Sequence, residues 1–380
     1  MKIIERTFVN KKLLAATIGA LFASAAHAQT TVTLYGIADG DFRVDHTSIG
    51  TLKSIGSGGE SGSRWGLRGI EDLGNGLKAS FNFEQGLDLS DNSVTQGNIT
   101  PTTPTSPNSS TGSRLFSRTA TVGLNSATLG EARVGRAYTP FYVLWTSIDP
   151  MGGGLLGGAQ NYSVGSITRY DNAGYYDSPK IYGFQLSGAY RLGESTTNTV
   201  AAGATKQGGN SGNVSISYAA GPVLAGYSYL NTKSAIDNNT TRTQFAGAVY
   251  DLKVVKLHGL FFRTRNDTTT DLRAYAAGVT VPVQSFAFFG QVGRIDNRYN
   301  QNNSQLYHDD AMFFGVGANY SFSKRTDIYL SGAKQQNRGN AINVLTDASN
   351  AGLDTTAGTA ANIPAGFDPW SAQVGIRHRF

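Results

Sequence analysis

The chain of 380 residues has no cysteine, which excludes disulfides, a thiolate nucleophile and any cysteine-bound metal centre. Histidine is scarce: His27, His46, His258, His308 and His378 fall at no i, i+4 spacing that would present two ligands on one helix face. No Gly-x-Ser-x-Gly nucleophile elbow occurs. Gly152-x-Gly154-x-x-Gly157 has dinucleotide-fingerprint spacing, but it follows Asp149-Pro150 in a long loop with no strand–helix–strand unit around it. These absences predict a protein without cofactor, metal or catalytic set. Beyond the first 28 residues the chain also lacks any run near the roughly 20 apolar residues of a membrane helix. That does not exclude strands, whose alternating faces keep average hydropathy near neutral even when each one spans a bilayer.

What is present begins with an export signal. Lys2, Arg6, Lys11 and Lys12 supply a charged region, Leu13 to Ala26 an apolar stretch, and Ala26-His27-Ala28 a small-x-small cleavage site. Residues 1–28 are expected to be removed, leaving one domain over 29–380. Losing four basic residues and one acidic residue lowers the formal net charge from +6 to +3, too mild to call for nucleic acid. Forty-seven glycines with 19 Phe, 18 Tyr and only 10 Pro describe an all-β chain rich in turns.

Apolar residues recur with period two. Val32, Leu34, Ala38, Phe42 and Val44 share one face, opposite Thr33, Tyr35, Asp39, Asp41 and Arg43. From Leu77 to Leu89 the pattern is clearest: Leu77, Ala79, Phe81, Phe83, Leu87 and Leu89 alternate with Lys78, Ser80, Asn82, Glu84 and Asp88, which a helix would not produce. The last eleven residues put Trp370, Ala372, Val374, Ile376, His378 and Phe380 on one side, about the length of a tilted membrane strand. Short links (Gly74–Gly76, Gly221-Pro222, Val281-Pro282, Ser323-Lys324) alternate with long polar loops (Asp91 to Ser113, Thr139 to Thr168, Gly193 to Asn210, Arg338 to Asp368). Short turns on one rim and long loops on the other predict a transmembrane barrel of about 16 strands. Phe and Tyr cluster near the expected strand ends, as in Tyr175-Tyr176, Tyr227 and Tyr229, Phe261-Phe262, Phe313-Phe314 and Tyr329, where girdles at the lipid interfaces would place them.

Alternation also sorts the charges. Trp65, Leu67 and Gly69 share a face, so Arg64 and Arg68 take the other, and Glu84 points the same way from the next strand. A charge facing lipid at midplane costs about 2 to 4 kcal/mol, so these groups are expected to line water.

Five ordered motifs carry a resemblance: Val32 to Gly36 (VTLYG), Ser63 to Ala79 (SRWGLRGIEDLGNGLKA), Val134-Gly135-Arg136, Ser323 to Thr326 (SKRT) and Val374 to Phe380 (VGIRHRF). Together they resemble the trimeric general porins of Gram-negative outer membranes, specifically the β-proteobacterial branch. The resemblance implies an all-β, 16-stranded antiparallel transmembrane β-barrel with a long third loop folded into the lumen. It also implies a homotrimer set in outer-membrane lipid and lipopolysaccharide, passing small hydrophilic solutes and ions by passive diffusion with a weak to moderate anion preference, and no enzyme. Carried over onto this sequence, Arg64 and Arg118 would line the constriction, Tyr138 to Thr168 would be the inward loop, and Asp149 its acid. A third arginine would be Arg169 or Arg136, and the sequence does not choose. The strand position of Arg118 is ambiguous, because Ala120, Val122 and Leu124 share its face. The loop is Gly-rich with one acidic residue, so the field would be weak on its acidic side. The competing reading is an outer-membrane adhesin or receptor that binds a partner through its long loops.

Overall fold

The computed structural model describes residues 31–48, 50–91, 115–163, 167–193, 209–234, 239–267, 271–298, 310–339 and 366–380. The expected signal at 1–28 lies outside them, as do His308 and most of the long connections expected at 91–113, 193–210 and 338–368. In chain order the strands are β1 (Thr31–Thr47), β2 (Gly50–Ser57), β3 (Arg64–Gly74), β4 (Leu77–Gly86), β5 (Thr119–Ser126), β6 (Gly130–Tyr138), β7 (Arg169–Asp177), β8 (Phe184–Arg191) and β9 (Ser211–Ala220). They continue as β10 (Val223–Lys233), β11 (Thr240–Asp251), β12 (Lys256–Arg265), β13 (Asp271–Val283), β14 (Phe286–Asn297), β15 (Ala311–Ser321), β16 (Thr326–Asn337) and β17 (Trp370–Arg379).

Consecutive strands pair antiparallel, and β17 returns to pair with β1 from Ile37 to His46, closing the sheet on itself. Along its other edge β1 meets β2 over Gly40–Thr47 and β3 over Thr31–Ile37. β2 and β3 therefore follow one another down a single ring position, interrupted at 58–63. The 17 segments form a 16-strand barrel.

The period-two expectation holds on both faces. Leu34, Val122, Ile216, Val316 and Ile376 stand exposed on one face, with Val316 64% accessible. Asp39, Glu84, Asn213, Gln291 and Gln373 are buried on the other. A belt of bare aliphatic side chains around most of a closed sheet is stable against hydrocarbon and costly against water.

Three expectations need correction. Val281 and Pro282 lie inside β13, and the turn comes two residues later at Gln284-Ser285. β12 flanks β13 only as far as Thr280, so Pro282 sits where one edge is free and a missing N–H is tolerated. The adjacent aromatic pairs do not form a girdle together, because period two sends neighbours to opposite faces. Tyr176 and Phe314 point outward, whereas Tyr175, Phe262, Phe313 and Tyr329 are buried on the inner face. Third, the connection between β6 and β7 contains a helix where the sequence predicts only loop.

That helix, α1 (Pro140–Ile148), has local causes. Thr139 caps it by accepting the Tyr142 N–H at 3.1 Å, Pro140 takes the first turn, and Asp149 before Pro150 is already extended. Its buried residues Phe141, Leu144, Trp145 and Ile148 recur at i, i+3, i+4, i+7 and pack on the inner face of β8 to β12, against Phe245 and Phe262. The following residues reach β14 to β16: Tyr162 stacks on Phe313 at 4.3 Å, and Ser331 accepts the Leu156 N–H at 3.2 Å. Gly157, at φ +81°, passes so close to Gly315 that a Cβ on it would collide with that backbone.

Closure also uses the last residue. Phe380 exchanges two backbone hydrogen bonds of 3.1 Å with Gly36, and its ring covers the space a Gly36 side chain would need. Deleting Phe380 removes both bonds and the ring. The expected outcome is a several-fold lower amount of heat-modifiable, folded barrel in membranes, and normal amounts would show that the terminus is dispensable for closure.

Candidate functional site

The inner-face charges converge where the interruption at 58–63, the start of β3, the residues before β5, the end of β6 and the segment after α1 meet. A cavity of about 300 Å³ is bounded there by Arg64, Arg118, Arg169, Tyr138, Glu60 and the backbone of Gly152 to Gly154. Arg118 donates from Nε to Glu84 Oε1 at 2.8 Å and from its guanidinium to the Tyr138 hydroxyl; Arg64 lies 3.7 Å from the same carboxylate. Glu84 also accepts from Tyr35 at 3.0 Å.

Arg118 reaches this wall because it precedes the first residue of β5 and escapes that strand's alternation, which resolves the ambiguity in its sequence position. Arg169 lies over the Tyr138 ring with its guanidinium carbon 4.0 Å from the centroid, and Tyr138 stacks face to face on Tyr142 at 4.8 Å. Two rings thus hold up a third cation beside Arg64 and Arg118.

Of the two sequence candidates for that third place, Arg169 lines the cavity and Arg136 does not. Arg136 bonds the Ser117 carbonyl at 2.7 Å and stands 3.9 Å from Asp171, which Arg191 also approaches at 3.3 Å. Arg68 is exposed over Tyr35, 5.2 Å from its ring centre, and lines a neighbouring cavity of about 300 Å³ with Asn82, Arg133 and Tyr138.

Asp149 is placed differently from the expectation. Its carboxylate is buried and accepts the backbone N–H groups of Gly153 at 2.9 Å and Ala159 at 3.1 Å, so it ties the turn after α1 together instead of facing the arginines. An acid that does border the cavity is Glu60, which alternation could not find because it lies between strands, in Gly58-Gly59-Glu60-Ser61-Gly62. Glu60 is held by Arg377 at 2.9 Å, and Asp327 ties Arg377 and Arg379 together at 3.1 and 2.9 Å. Asp39, beneath it, accepts the Ser61 N–H at 2.6 Å and the Tyr329 hydroxyl. Among the described residues no group of His, Asp and Glu could hold a metal ion.

Burial pushes the Asp149 carboxyl up from 3.8 to about 6, against the pull of its backbone hydrogen bonds. A carboxyl raised in place favours its protonated form there, so its contribution to seating the turn is full below pH about 4 and is lost as pH rises through about 6. The span corresponds to about 3 kcal/mol. Channel noise or protease nicking of the 139–168 segment should increase between pH 4 and pH 7, and Asp149→Asn should flatten that rise. An unchanged profile in the variant would assign the pH dependence to another group.

Comparisons with known proteins give the barrel its relatives. The family described as Gram-negative porin matches residues 15–340. An outer membrane porin protein of Bordetella pertussis is 30% identical over 431 residues, covering 98% of this chain and 100% of the relative. Outer membrane porin protein 32 of Delftia acidovorans is 31% identical over 386 residues, covering 97% and 100%. Among solved structures, an anion-selective porin from Comamonas acidovorans superposes with a TM-score of 0.74 at 26% identity, over 93% of this chain and 100% of that one.

Proposed function

The chain belongs to the Gram-negative porin family, and from that premise we propose that segment 139–163 lies in the bore and makes the cavity at Arg64, Arg118 and Arg169 its constriction. The protein is an outer-membrane porin, a barrel around a water-filled channel for passive diffusion. Small hydrophilic solutes and ions pass, and anions are modestly favoured. The observation that carries the selectivity is three arginines from separate elements on one cavity. Glu84 answers two of them, while Glu60, across the same space, is already bound to Arg377. Arginines lining this wall outnumber its carboxylates, and a ring of fixed positive charge favours ions of the opposite sign.

The Comamonas acidovorans structure, an anion-selective porin by description, supports the same sign. Diffusion through such a bore needs diameter and fixed charge but no catalytic group. The adhesin or receptor reading is not favoured. The family supports a homotrimer, and the charged region, apolar stretch and small-x-small site within 1–28 support a cleaved export signal.

Purified protein in a planar bilayer under a potassium chloride gradient tests the reading. Stepwise conductance with a zero-current potential of anion-selective sign is expected; no conductance would remove the channel, and a cation-selective sign would remove the constriction assignment alone. The detergent-corrected mass of the conducting species should equal three chains.

A further inference from the structure

The barrel wall makes an inward excursion between β2 and β3. Along that edge β1 pairs with β2 as far as Gly40 and with β3 from Ile37 onward, so the ladder leaves out two residues of β1, Ala38 and Asp39, while six residues, 58–63, stand opposite them. An excess of four residues cannot lie in the sheet and has to leave it. It leaves on the inner side: a Cβ at Gly59 would meet the Tyr329 hydroxyl, and one at Gly62 would lie 3.0 Å from the Arg118 guanidinium.

The excursion is fastened where the ladder is missing. The Asp39 carbonyl accepts the Gly58 N–H at 2.7 Å and the Ser63 hydroxyl at 2.9 Å, and the Asp39 carboxylate accepts the Glu60 N–H at 3.1 Å. Gln373 of β17 donates to the Gly59 carbonyl at 2.9 Å, and Asn319 of β15 donates to the Glu60 carboxylate at 3.2 Å. With the Arg377 ion pair, these bonds tie one short segment to β1, β15 and β17. Ordering glycines is costly in entropy, and Gly58, Gly59 and Gly62 are held in place only because so many bonds surround them.

This strap touches the turn that follows α1. A Cβ on Gly154 would fall onto the Glu60 carbonyl, a backbone atom that no side-chain rotation can move aside. Gly152 and Gly153 need their φ of +63° and +71°, whereas Gly154 has no positive φ, so closeness to the strap is what requires glycine there. The turn is held by bonds to its own Asp149: the Gly152 N–H donates to the carbonyl at 3.0 Å and the Gly153 N–H to the carboxylate at 2.9 Å. Of the two elements in contact, the strap is fixed to the wall and the turn is the one that yields.

We propose that residues 58–63 are a second inward element of the pore, and that their backbone contact with Gly154 closes one side of the lumen and sets the largest solute admitted. The inference rests on the porin reading, with the segment after α1 in the bore. The arginines beside this contact select the sign of an ion, and the contact selects size. A side chain at position 154 pushes the turn off the strap and opens a passage between them. Backbone meets backbone there, so a neutral solute feels the change as much as an ion does.

The test reconstitutes folded, heat-modifiable trimer into liposomes and measures swelling rates with neutral sugars from a pentose to a tetrasaccharide. Gly154→Val is expected to raise the tetrasaccharide rate relative to the pentose rate several-fold. Glu60→Ala, which releases the strap from Arg377 and Asn319, should raise it by less. Gly154→Ala, the smallest side chain that meets the carbonyl, serves as the test if the valine variant yields no trimer. The zero-current potential of the Gly154 variants should keep its anion-selective sign, because Arg64, Arg118 and Arg169 are untouched. Rate ratios equal to wild type in the Gly154 variants would overturn the strap. So would a changed ratio accompanied by a lost anion-selective sign, which would mean that the arginine wall had moved instead. Wild type that passes neither sugars nor ions would count against the porin reading itself, whereas a conducting wild type with unaltered sieving in the variants would count against the strap only.

Discussion

Replacing Arg64, Arg118 and Arg169 together by glutamine is expected to move the zero-current potential far toward the cation side, the largest selectivity change available in this chain. The triple replacement removes three positive charges from this wall and leaves the carboxylates of Glu84 and Glu60 in place. A unit charge about 7 Å from an ion in water contributes roughly 0.6 kcal/mol. Three such charges favour an anion and disfavour a cation by about 1.8 kcal/mol each. After screening in about 0.1 M salt, the change in the anion-to-cation permeability ratio is on the order of tenfold. The effect should collapse at about 1 M salt, where the Debye length is near 3 Å. Arg68→Gln alone, one cavity away over Tyr35, should move the potential less. If the triple variant keeps the wild-type potential in dilute salt, the narrowest point of the bore is elsewhere.

The second large effect is on pore size. Phe141→Ala with Trp145→Ala removes the two aromatic anchors that seat α1 against Phe245 and Phe262. Each truncation of a buried aromatic of this size costs about 3 to 5 kcal/mol, and the pair exceeds what a nine-residue helix can recover from its own propensity. The barrel ladder does not involve these side chains, so the variant should still fold and trimerise. Its single-channel conductance should rise by a factor of about two or more, with strong open-channel noise. Conductance unchanged and quiet would mean that the segment does not limit the bore.

Much of the barrel could be read from the sequence because its causes are local and periodic. One face of each strand meets hydrocarbon and the other meets polar groups, so the alternation in Leu77 to Phe83 or Trp370 to Phe380 encodes both strand and face. Arg64, Arg68 and Glu84 were legible for the same reason. Alternation alone says nothing where it stops: Glu60, in the gap between β2 and β3, was missed, and Arg118, ahead of β5, was reached only through the family resemblance. Arg169 could be separated from Arg136 only by knowing that Tyr138 and Tyr142 stack to receive it. The i, i+3, i+4, i+7 spacing of Phe141, Leu144, Trp145 and Ile148 was present in the sequence but overshadowed by the glycines that follow it. Asp149 was assigned by position in the loop, and position does not say whether a carboxylate faces solvent or its own backbone.

The pairing of β1 with β17 also has a kinetic consequence. The contacts that finish the barrel are the most distant in the chain, joining Ile37 to Arg379 and Gly36 to Phe380, and loop-closure entropy must be met in full before they return anything. Until the final residues arrive, β1 and its growing neighbours present an unpaired strand edge together with a bare aliphatic face, the combination most prone to aggregate. A chain truncated early in β17 is expected to stay in that state. The protein must therefore be kept extended and escorted from synthesis until its last strand is available, and its folding rate should depend on the surface that receives it more than on its own stability.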